Sequence, residues 1–125
     1  MPSVAKKYFD NVLMEAGTVQ NKLWLNDGRT RETPNANYYG TGGISQNKKY
    51  MIIVTINAPK EAFLENHFFD CDLDKLLISV HKMFQFLGMK PLKSLSMNDV
   101  IKNPNIERYT NDLENHLDEM IELLK

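Results

Sequence analysis

The residues best placed to meet a ligand are Thr55, Ile56, Asn57 and Ala58, which close an apolar run and precede Pro59. If that run is a strand of a parallel sheet, these residues lie at its carboxyl end, where open α/β sheets bind their ligands. Small side chains there let a planar ligand approach the backbone, and N–H groups at a following helix start can meet negative charge. A plain helix-capping turn would have the same sequence, so both interpretations stay open at this point.

The glycine cluster Gly40-Thr41-Gly42-Gly43 is a second candidate, because glycine-rich loops can cradle phosphate groups. Its spacing matches neither the Walker motif nor G-x-G-x-x-G, and it lies before a strand instead of joining a strand to a helix. We therefore expect a flexible approach to the strand here, and not a phosphate site.

Three carboxylates, Asp70, Asp72 and Asp74, have the spacing that opens an EF-hand loop. The sixth position of that loop would be Lys75 where the motif needs glycine, and the twelfth would be His81 where it needs glutamate. The sequence therefore favours capping of the following helix by Asp72 and Asp74 over calcium binding.

The cysteine and the histidines give no metal site. Cys71 and His67 are too few ligands for zinc, and a lone cysteine typically packs as a small hydrophobe. His81 borders an apolar helix face, which predicts a histidine that is hydrogen-bonded or lies at an interface. His116 falls on the polar side of the last helix and is predicted to be solvated.

These candidates depend on an alternation of helices and strands. Residues 50–56 are apolar and β-branched without alternation, which predicts a strand buried on both faces, and residues 92–97 form a weaker second strand. Apolar spacing predicts three helices. The first contains Val4, Tyr8, Phe9, Val12 and Leu13 and ends at Gly17. The second covers residues 73–87 and is closed by Gly88, and the third covers residues 106–124 and is capped by Asn103-Pro104.

The resulting order predicts an incomplete α/β domain. The predicted elements follow in the order helix, long polar stretch, strand, helix, strand, helix. Such an alternation is typical of a parallel sheet whose strands are joined by right-handed crossovers. Most sheets have about four to six strands, yet only one partner strand is found here. The chain therefore looks like the second half of a doubly wound domain.

Composition narrows the function classes. The chain has 125 residues and a formal charge of -1, which gives one domain and no reason to expect a nucleic-acid partner. No window is long and apolar enough to predict a membrane span, and no secretory signal is recognisable. The single Cys71 is compatible with a reducing, cytoplasmic location.

Several segments then carry a resemblance to a known family. Five segments occur in this order between Pro2 and the end of the chain: YGTGGISQNKKYM, NAPKEAF, HKMFQFLGMKPL, NDVIKNP and ERYT. Together they resemble the modulator of drug activity B family of flavodoxin-like NAD(P)H quinone reductases, which carry FAD. The resemblance implies a flavodoxin-like doubly wound parallel sheet of which this chain holds the C-terminal half, with two strands and flanking helices and without the first three strands. Residues 1–125 would then be a single partial domain, with residues 18–49 as a long loop within it.

The resemblance also implies a function. In this family NAD(P)H gives a hydride to FAD, and a quinone substrate then accepts the hydride in the same pocket. The chain is thus expected to belong to a cytoplasmic, dimeric flavoprotein acting as an NAD(P)H:quinone oxidoreductase. The implied flavin-binding residues are Thr55, Ile56, Asn57, Ala58 and Phe63. The implied substrate pocket contains Tyr38, Tyr39, His67 and Phe68, the two tyrosines reaching the flavin of a neighbouring subunit.

The chain departs from the family pattern at two places. Phe63 stands where related quinone reductases have a tyrosine, so it brings no hydroxyl for a proton relay. Pro2 falls where the family begins its third crossover helix, so the family's phosphate-binding loop and flavin-facing aromatic loop have no counterpart here. An alternative interpretation is therefore a non-catalytic, truncated flavodoxin-like module that oligomerises through an exposed strand edge.

Overall fold

The protein is described by a computed structural model that covers residues 2–18, 23–24 and 26–125. The described chain separates into two compact units. The first unit contains the residues up to Tyr50 together with Ser79–Pro91, and the second contains Met51–Ile78 and Leu92–Lys125.

Helices and short strands alternate along the chain as expected. The helices are α1 (Ser3–Tyr8), a π-helical turn (Phe9–Leu13), α2 (Met14–Thr18), α3 (Leu73–Leu76), α4 (Ile78–Phe86) and α5 (Ile106–Glu122), with 3₁₀ turns at Ala36–Tyr38 and Lys60–Phe63. The strands are β1 (Lys49–Tyr50), β2 (Ile53–Ile56), β3 (Lys90–Pro91) and β4 (Leu95–Asn98). Each of the two predicted strands is thus divided into two short pieces.

In the first unit, β1 pairs in parallel with β3, with Lys49 opposite Lys90 and Tyr50 opposite Pro91. The Lys90 N–H donates to the carbonyl of Lys48 at 3.1 Å, so the backbone groups of Lys90 point towards β1. Successive residues of a strand point their backbone groups to opposite edges. The nitrogen of Pro91 therefore faces the outer edge, where it has no hydrogen to donate.

A small aromatic core holds the first unit together. The ring of Phe9 meets the edge of Phe84 with centroids 5.3 Å apart, and Tyr50 stacks on Phe84 at 4.5 Å. The Tyr50 hydroxyl and His81 Nδ1 share a hydrogen bond of 2.7 Å, and both residues are buried, which confirms the predicted hydrogen-bonded histidine. By contrast Val4, on the predicted apolar stripe of α1, is 79% exposed.

Part of the glycine cluster is packed closely against neighbouring backbone, and its predicted flexibility stays a prediction. The N–H of Ser45 donates to the Leu87 carbonyl at 2.9 Å, which draws the cluster against the end of α4. A Cβ at Gly43 would overlap the backbone of Leu87 and Gly88. Gly88 has a φ of +90° and closes α4 as predicted. The glycines thus allow close backbone packing.

In the second unit, β2 pairs in parallel with β4, which confirms the predicted pair of parallel strands. The register places Ile53 opposite Leu95 and Ile56 opposite Asn98. The predicted burial of the first strand on both faces is wrong, because exposure alternates along β2 and Ile53 is 42% exposed. Within the described residues, β4 is the only strand paired with β2.

The buried side of the last helix combines polar and apolar side chains. Tyr109, His116 and Met120 are the buried residues of α5, and His116 Nε2 lies 2.8 Å from the Lys93 carbonyl. The predicted solvation of His116 is therefore wrong, because a backbone acceptor far away in sequence removes it from water. The predicted Asn103-Pro104 cap is also wrong, since Asn105 Oδ1 accepts from the N–H of Arg108 at 2.9 Å.

We expect Gly43→Ala to destabilise the protein by about 1–3 kcal/mol, the usual cost of inserting atoms into a closely packed site. Urea unfolding followed by Trp24 fluorescence would measure the loss. Asn47→Ala is the matched control, because Asn47 is exposed and its substitution should change stability by less than about 0.5 kcal/mol. Equal stability of the two variants would mean that the glycine is not needed for packing.

Candidate functional site

The carboxyl ends of β2 and β4 meet at one edge of the second unit. After the strands end, the N–H of Asp99 donates to the Ala58 carbonyl at 3.3 Å, and the N–H of Val100 donates to the Ile56 carbonyl at 3.4 Å. The two segments therefore continue side by side past the sheet. This edge is where a parallel α/β sheet places its ligand.

Two asparagine carboxamides fasten these segments to each other. Asn57 Oδ1 accepts from the N–H of Ile101 at 3.2 Å, and Asn98 Nδ2 donates to the Ala58 carbonyl at 3.1 Å. Ser96 Oγ donates to Asn98 Oδ1 at 2.9 Å, so both polar atoms of the buried Asn98 carboxamide are paired. The edge is thus held in a defined shape by side chains from both strands.

Asn98 was not among the predicted site residues, although it directly follows the second predicted strand, residues 92–97, and so lies where ligand-binding residues are expected. Its backbone carbonyl accepts from the buried hydroxyl of Tyr109 at 2.6 Å, which ties the edge to α5. The next residue, Asp99, has a φ of +59°, a left-handed conformation that aspartate adopts more readily than most residues.

The predicted flavin-binding residues lie along this edge. Thr55 and Ile56 end β2, and Asn57 and Ala58 follow directly. Thr55 and Asn57 are exposed, whereas Ile56 and Ala58 are partly covered. The structure therefore presents a hydroxyl and a carboxamide to solvent at the strand end, next to the small side chain of Ala58.

The segment after β2 forms an aromatic cluster. Phe63 stacks on Phe69 with centroids 4.6 Å apart, and Phe68 meets Phe69 edge to face at 5.0 Å. The structure thus brings together two predicted residues, Phe63 and Phe68, through Phe69, which was not predicted by name. Phe68 is 87% exposed and His67 is also exposed, so both are accessible to a ligand.

Local hydrogen bonds hold this aromatic segment. The N–H of Phe69 donates to the Ala62 carbonyl at 2.9 Å, and the N–H of Asn66 donates to Asp70 Oδ1 at 2.7 Å. Asp72 Oδ1 accepts from the N–H of Lys75 at 2.7 Å, which confirms the predicted cap of the following helix. Within the part of the chain that is described, no cluster of potential metal ligands is found.

A groove of about 820 Å³ lies in the second unit. Residues 93–96 and α5 form much of its lining, and Lys60, Arg108, Asp112 and Glu119 give it mixed charge. All nine predicted site residues are described in the structure, and none of them lines this groove. Asn98 and Asp99 line the groove as well, so it adjoins the strand-end edge without including the predicted site residues.

The two predicted tyrosines lie in the first unit. Tyr38 ends a 3₁₀ turn, and its carbonyl accepts from the Thr41 hydroxyl at 2.7 Å. The ring of Tyr39 lies 5.9 Å from that of Phe86, and the guanidinium of Arg29 lies over the Tyr39 ring, 5.1 Å from its centroid. Both tyrosines are exposed, which leaves part of each ring available for contact with another molecule.

Arg29 is itself oriented by Asp27. Its Nε donates to Asp27 Oδ2 at 2.8 Å, and its backbone N–H donates to Asp27 Oδ1 at 2.9 Å. The side-chain hydrogen bond from Arg29 holds the pKa of Asp27 below its ordinary value, and the same bond raises the pKa of Arg29. The paired charges thus fix a cation against the Tyr39 ring.

Comparison with known proteins gives the family. A family model described as a flavodoxin-like fold matches residues 1–121. The chain belongs to this flavodoxin-like family. It is 41% identical over 121 residues to the NADPH:quinone oxidoreductase MdaB of Haemophilus influenzae, covering 95% of this chain and 61% of that protein. It is 44% identical over 121 residues to an uncharacterised protein of Schizosaccharomyces pombe, covering 95% of this chain and 60% of that protein.

These similarities confirm the predicted resemblance to the modulator of drug activity B family. The chain spans about three-fifths of the length of both curated relatives, which fits the prediction of a partial flavodoxin-like domain. No helix in the described ranges has the length and apolar character needed to cross a bilayer.

We expect the carboxyl of Asp27 to titrate below an ordinary aspartate, because Arg29 stabilises the charged form. A lowered folded-state pKa means that this contribution to stability is present above the unfolded-state pKa and is lost as the pH falls through the folded-state pKa. A carbon NMR titration would measure the midpoint. Arg29→Gln should raise the midpoint, whereas the control Arg31→Gln should leave it unchanged, and an unaltered midpoint in Arg29→Gln would contradict this assignment.

Proposed function

We propose that this chain forms part of the flavin and substrate site of an NAD(P)H:quinone oxidoreductase, with FAD as the flavin. The observation that carries the proposal is the strand-end edge of the second unit, where Thr55 and Asn57 are exposed and an aromatic segment follows in the chain. The name of the Haemophilus relative, which states the same reaction, supports it.

The residues at the edge suit a flat, redox-active ring. When bound, FAD supplies the chemistry by accepting a hydride from NAD(P)H and passing it to a quinone. In our proposal the small side chain of Ala58 lets the ring approach the backbone, while Thr55 and Ile56 border one side of it. Asn57 Oδ1 is occupied by the N–H of Ile101, which orients the carboxamide. Its Nδ2 group is then a donor for negative charge on the reduced ring.

The aromatic segment would form the wall of the pocket. Phe63 is held by stacking on Phe69, so its ring is already fixed before a ligand arrives. The accessible ring of Phe68 offers a flat apolar surface that suits a quinone. Phe63 has no proton to give, so among the pocket residues of this segment His67 is the one that can hold and transfer a proton.

Tyr38 and Tyr39 would complete the pocket of a neighbouring copy in a homodimer. The ring of Tyr39 is contacted by Arg29, and the Thr41 hydroxyl donates to the backbone carbonyl of Tyr38. An aromatic ring with a fixed orientation contributes contact area at low cost in conformational entropy. The arginine beside Tyr39 would also place positive charge near an anionic cofactor.

We expect the purified protein to retain flavin absorbance after incubation with FAD and removal of the unbound flavin, and then to oxidise NADPH when menadione is added. The flavin accepts electrons from the nucleotide and the quinone removes them, so oxidation should need both additions. Absorbance spectra and a spectrophotometric assay of NADPH would test this. A stable, colourless oligomer without this activity would contradict the proposal and would favour the non-catalytic module.

Asn57→Asp should weaken FAD binding by about tenfold or more, because a donor is replaced by a like charge near the reduced ring. The aspartate keeps an acceptor for the N–H of Ile101, so the unfolding transition should stay close to that of the parent. Fluorescence titration with FAD measures the affinity. Asn57→Leu is the comparison, since it removes donor and acceptor together and should lower both affinity and stability. Undiminished FAD affinity in Asn57→Asp would remove Asn57 from the site.

A further inference from the structure

Two arginines line one open cavity in the first unit. The cavity has a volume of about 530 Å³, and its lining residues are Asp27, Arg29, Thr30, Arg31 and Pro34. Two guanidinium groups and one carboxylate leave this lining with an excess of positive charge. Arginine binds phosphate oxygens through pairs of N–H groups in a planar arrangement. The cavity is therefore suited to a phosphate group.

Hydrogen bonds give the loop around this cavity a defined shape. The N–H of Thr30 donates to the Thr33 carbonyl at 3.3 Å, and the N–H of Thr33 donates to Thr30 Oγ1 at 3.0 Å. Arg31 thus lies in a closed turn between two bonded threonines. The N–H of Gly40 donates to the Asp27 carbonyl at 2.7 Å, which ties the start of the loop to the glycine cluster. A loop that is ordered before binding loses less conformational entropy when a ligand arrives.

The one carboxylate of the cavity is already engaged. Arg29 Nε donates to Asp27 Oδ2 at 2.8 Å, and the backbone N–H of Arg29 donates to Asp27 Oδ1 at 2.9 Å. In dinucleotide-binding folds a carboxylate holds the 2′-hydroxyl of NAD, whereas an arginine accommodates the 2′-phosphate of NADP. Because both oxygens of Asp27 accept from Arg29, the carboxylate is neutralised, and the arrangement that favours NADH is absent from this cavity.

Donors for a phosphate remain after this pairing. Nε and Nη2 of Arg29 donate to Asp27, and Arg29 Nη1 has no bond within the described residues. Arg31 is exposed, and none of the ion pairs found in the described part of the chain involves it. A phosphate monoester carries about −1.5 to −2 charges at pH 7, so it can accept from both arginines at once.

We propose that Arg31, together with Nη1 of Arg29, binds the 2′-phosphate of NADPH and makes the protein select NADPH over NADH. This inference rests on the proposed function, in which the nicotinamide nucleotide is the hydride donor. The guanidinium of Arg29 also lies over the Tyr39 ring, 5.1 Å from its centroid. The phosphate site is thus next to one of the two tyrosines that would complete the pocket.

Binding of NADP⁺ and of NAD⁺ to the full chain tests the inference, because these nucleotides differ only in the 2′-phosphate. We expect isothermal titration calorimetry to show NADP⁺ bound at least about tenfold more tightly than NAD⁺, since charge-assisted pairs are the stronger hydrogen bonds. Arg31→Gln should bring the two affinities to within about twofold of each other. Arg31→Lys keeps the charge without the paired donors and should retain an intermediate preference. Equal affinities in the parent, or no binding of NADP⁺, would overturn the inference.

Lys48→Gln is the matched control, because it removes one positive charge from an exposed position of the same unit outside the cavity. Its preference for NADP⁺ should equal that of the parent. An equal loss of preference in Lys48→Gln and Arg31→Gln would mean that net charge alone is responsible, and it would overturn the proposed site.

The calorimetric measurement needs no flavin and no turnover, so it is separate from the test of the proposed function. A protein that retains FAD and reduces menadione but binds both nucleotides equally would keep the proposed function and overturn only this inference. A chain that prefers NADP⁺ but retains no flavin would support the phosphate site and contradict the proposed function.

Discussion

The parallel pairing of β2 with β4 determines the position of every residue at the strand-end site. Its register places Ile56 beside Asn98, so the two segments leave the sheet at the same edge and can be joined by Asn57 and the Asn98 carboxamide. A slip of one residue would move each side chain of β2 to the opposite face. Thr55 would then lose its exposure, and the two carboxamides would no longer meet their partners.

Helix α5 holds β4 from both ends. His116 lies 2.8 Å from the carbonyl of Lys93, just before the strand, and Tyr109 donates to the carbonyl of Asn98 at its last residue. Both side chains are buried, so each bond is made away from water, where an unpaired polar group costs about 1–3 kcal/mol. The helix is therefore bonded to the chain at both ends of the strand. The hydrogen bonds from His116 and Tyr109 thus support the strand-end edge, although neither residue is a predicted site residue.

Local features of this fold were predictable from the sequence, and long-range ones were not. The apolar run ending at Ile56 predicted the strand and its parallel partner, and Asp72 was predicted as a cap because its acceptor role involves only the next three residues. His116 was misassigned because its partner, Lys93, is 23 residues away. Asn98 was missed for the same reason, since its importance depends on Ala58, 40 residues earlier.

The predicted burial of β2 fails for a different physical cause. A continuous apolar sequence indicates that a strand is suited to burial on both faces. Within the described chain, however, β2 has a neighbouring strand on only one side. The glycine cluster shows the converse case. Its composition suggested flexibility, but the absence of a Cβ at Gly43 serves a close backbone contact with Leu87 that composition cannot reveal.

Pro91 makes the outer edge of the small sheet in the first unit unsuited to pairing with a further strand. Its nitrogen faces the outer edge of β3, and a strand arriving there would find no donor at that position. Lysine and proline at a sheet edge are among the devices by which proteins discourage unwanted strand addition. β3 consists of Lys90 and Pro91 alone, so this edge disfavours the repeated strand addition that builds fibrils.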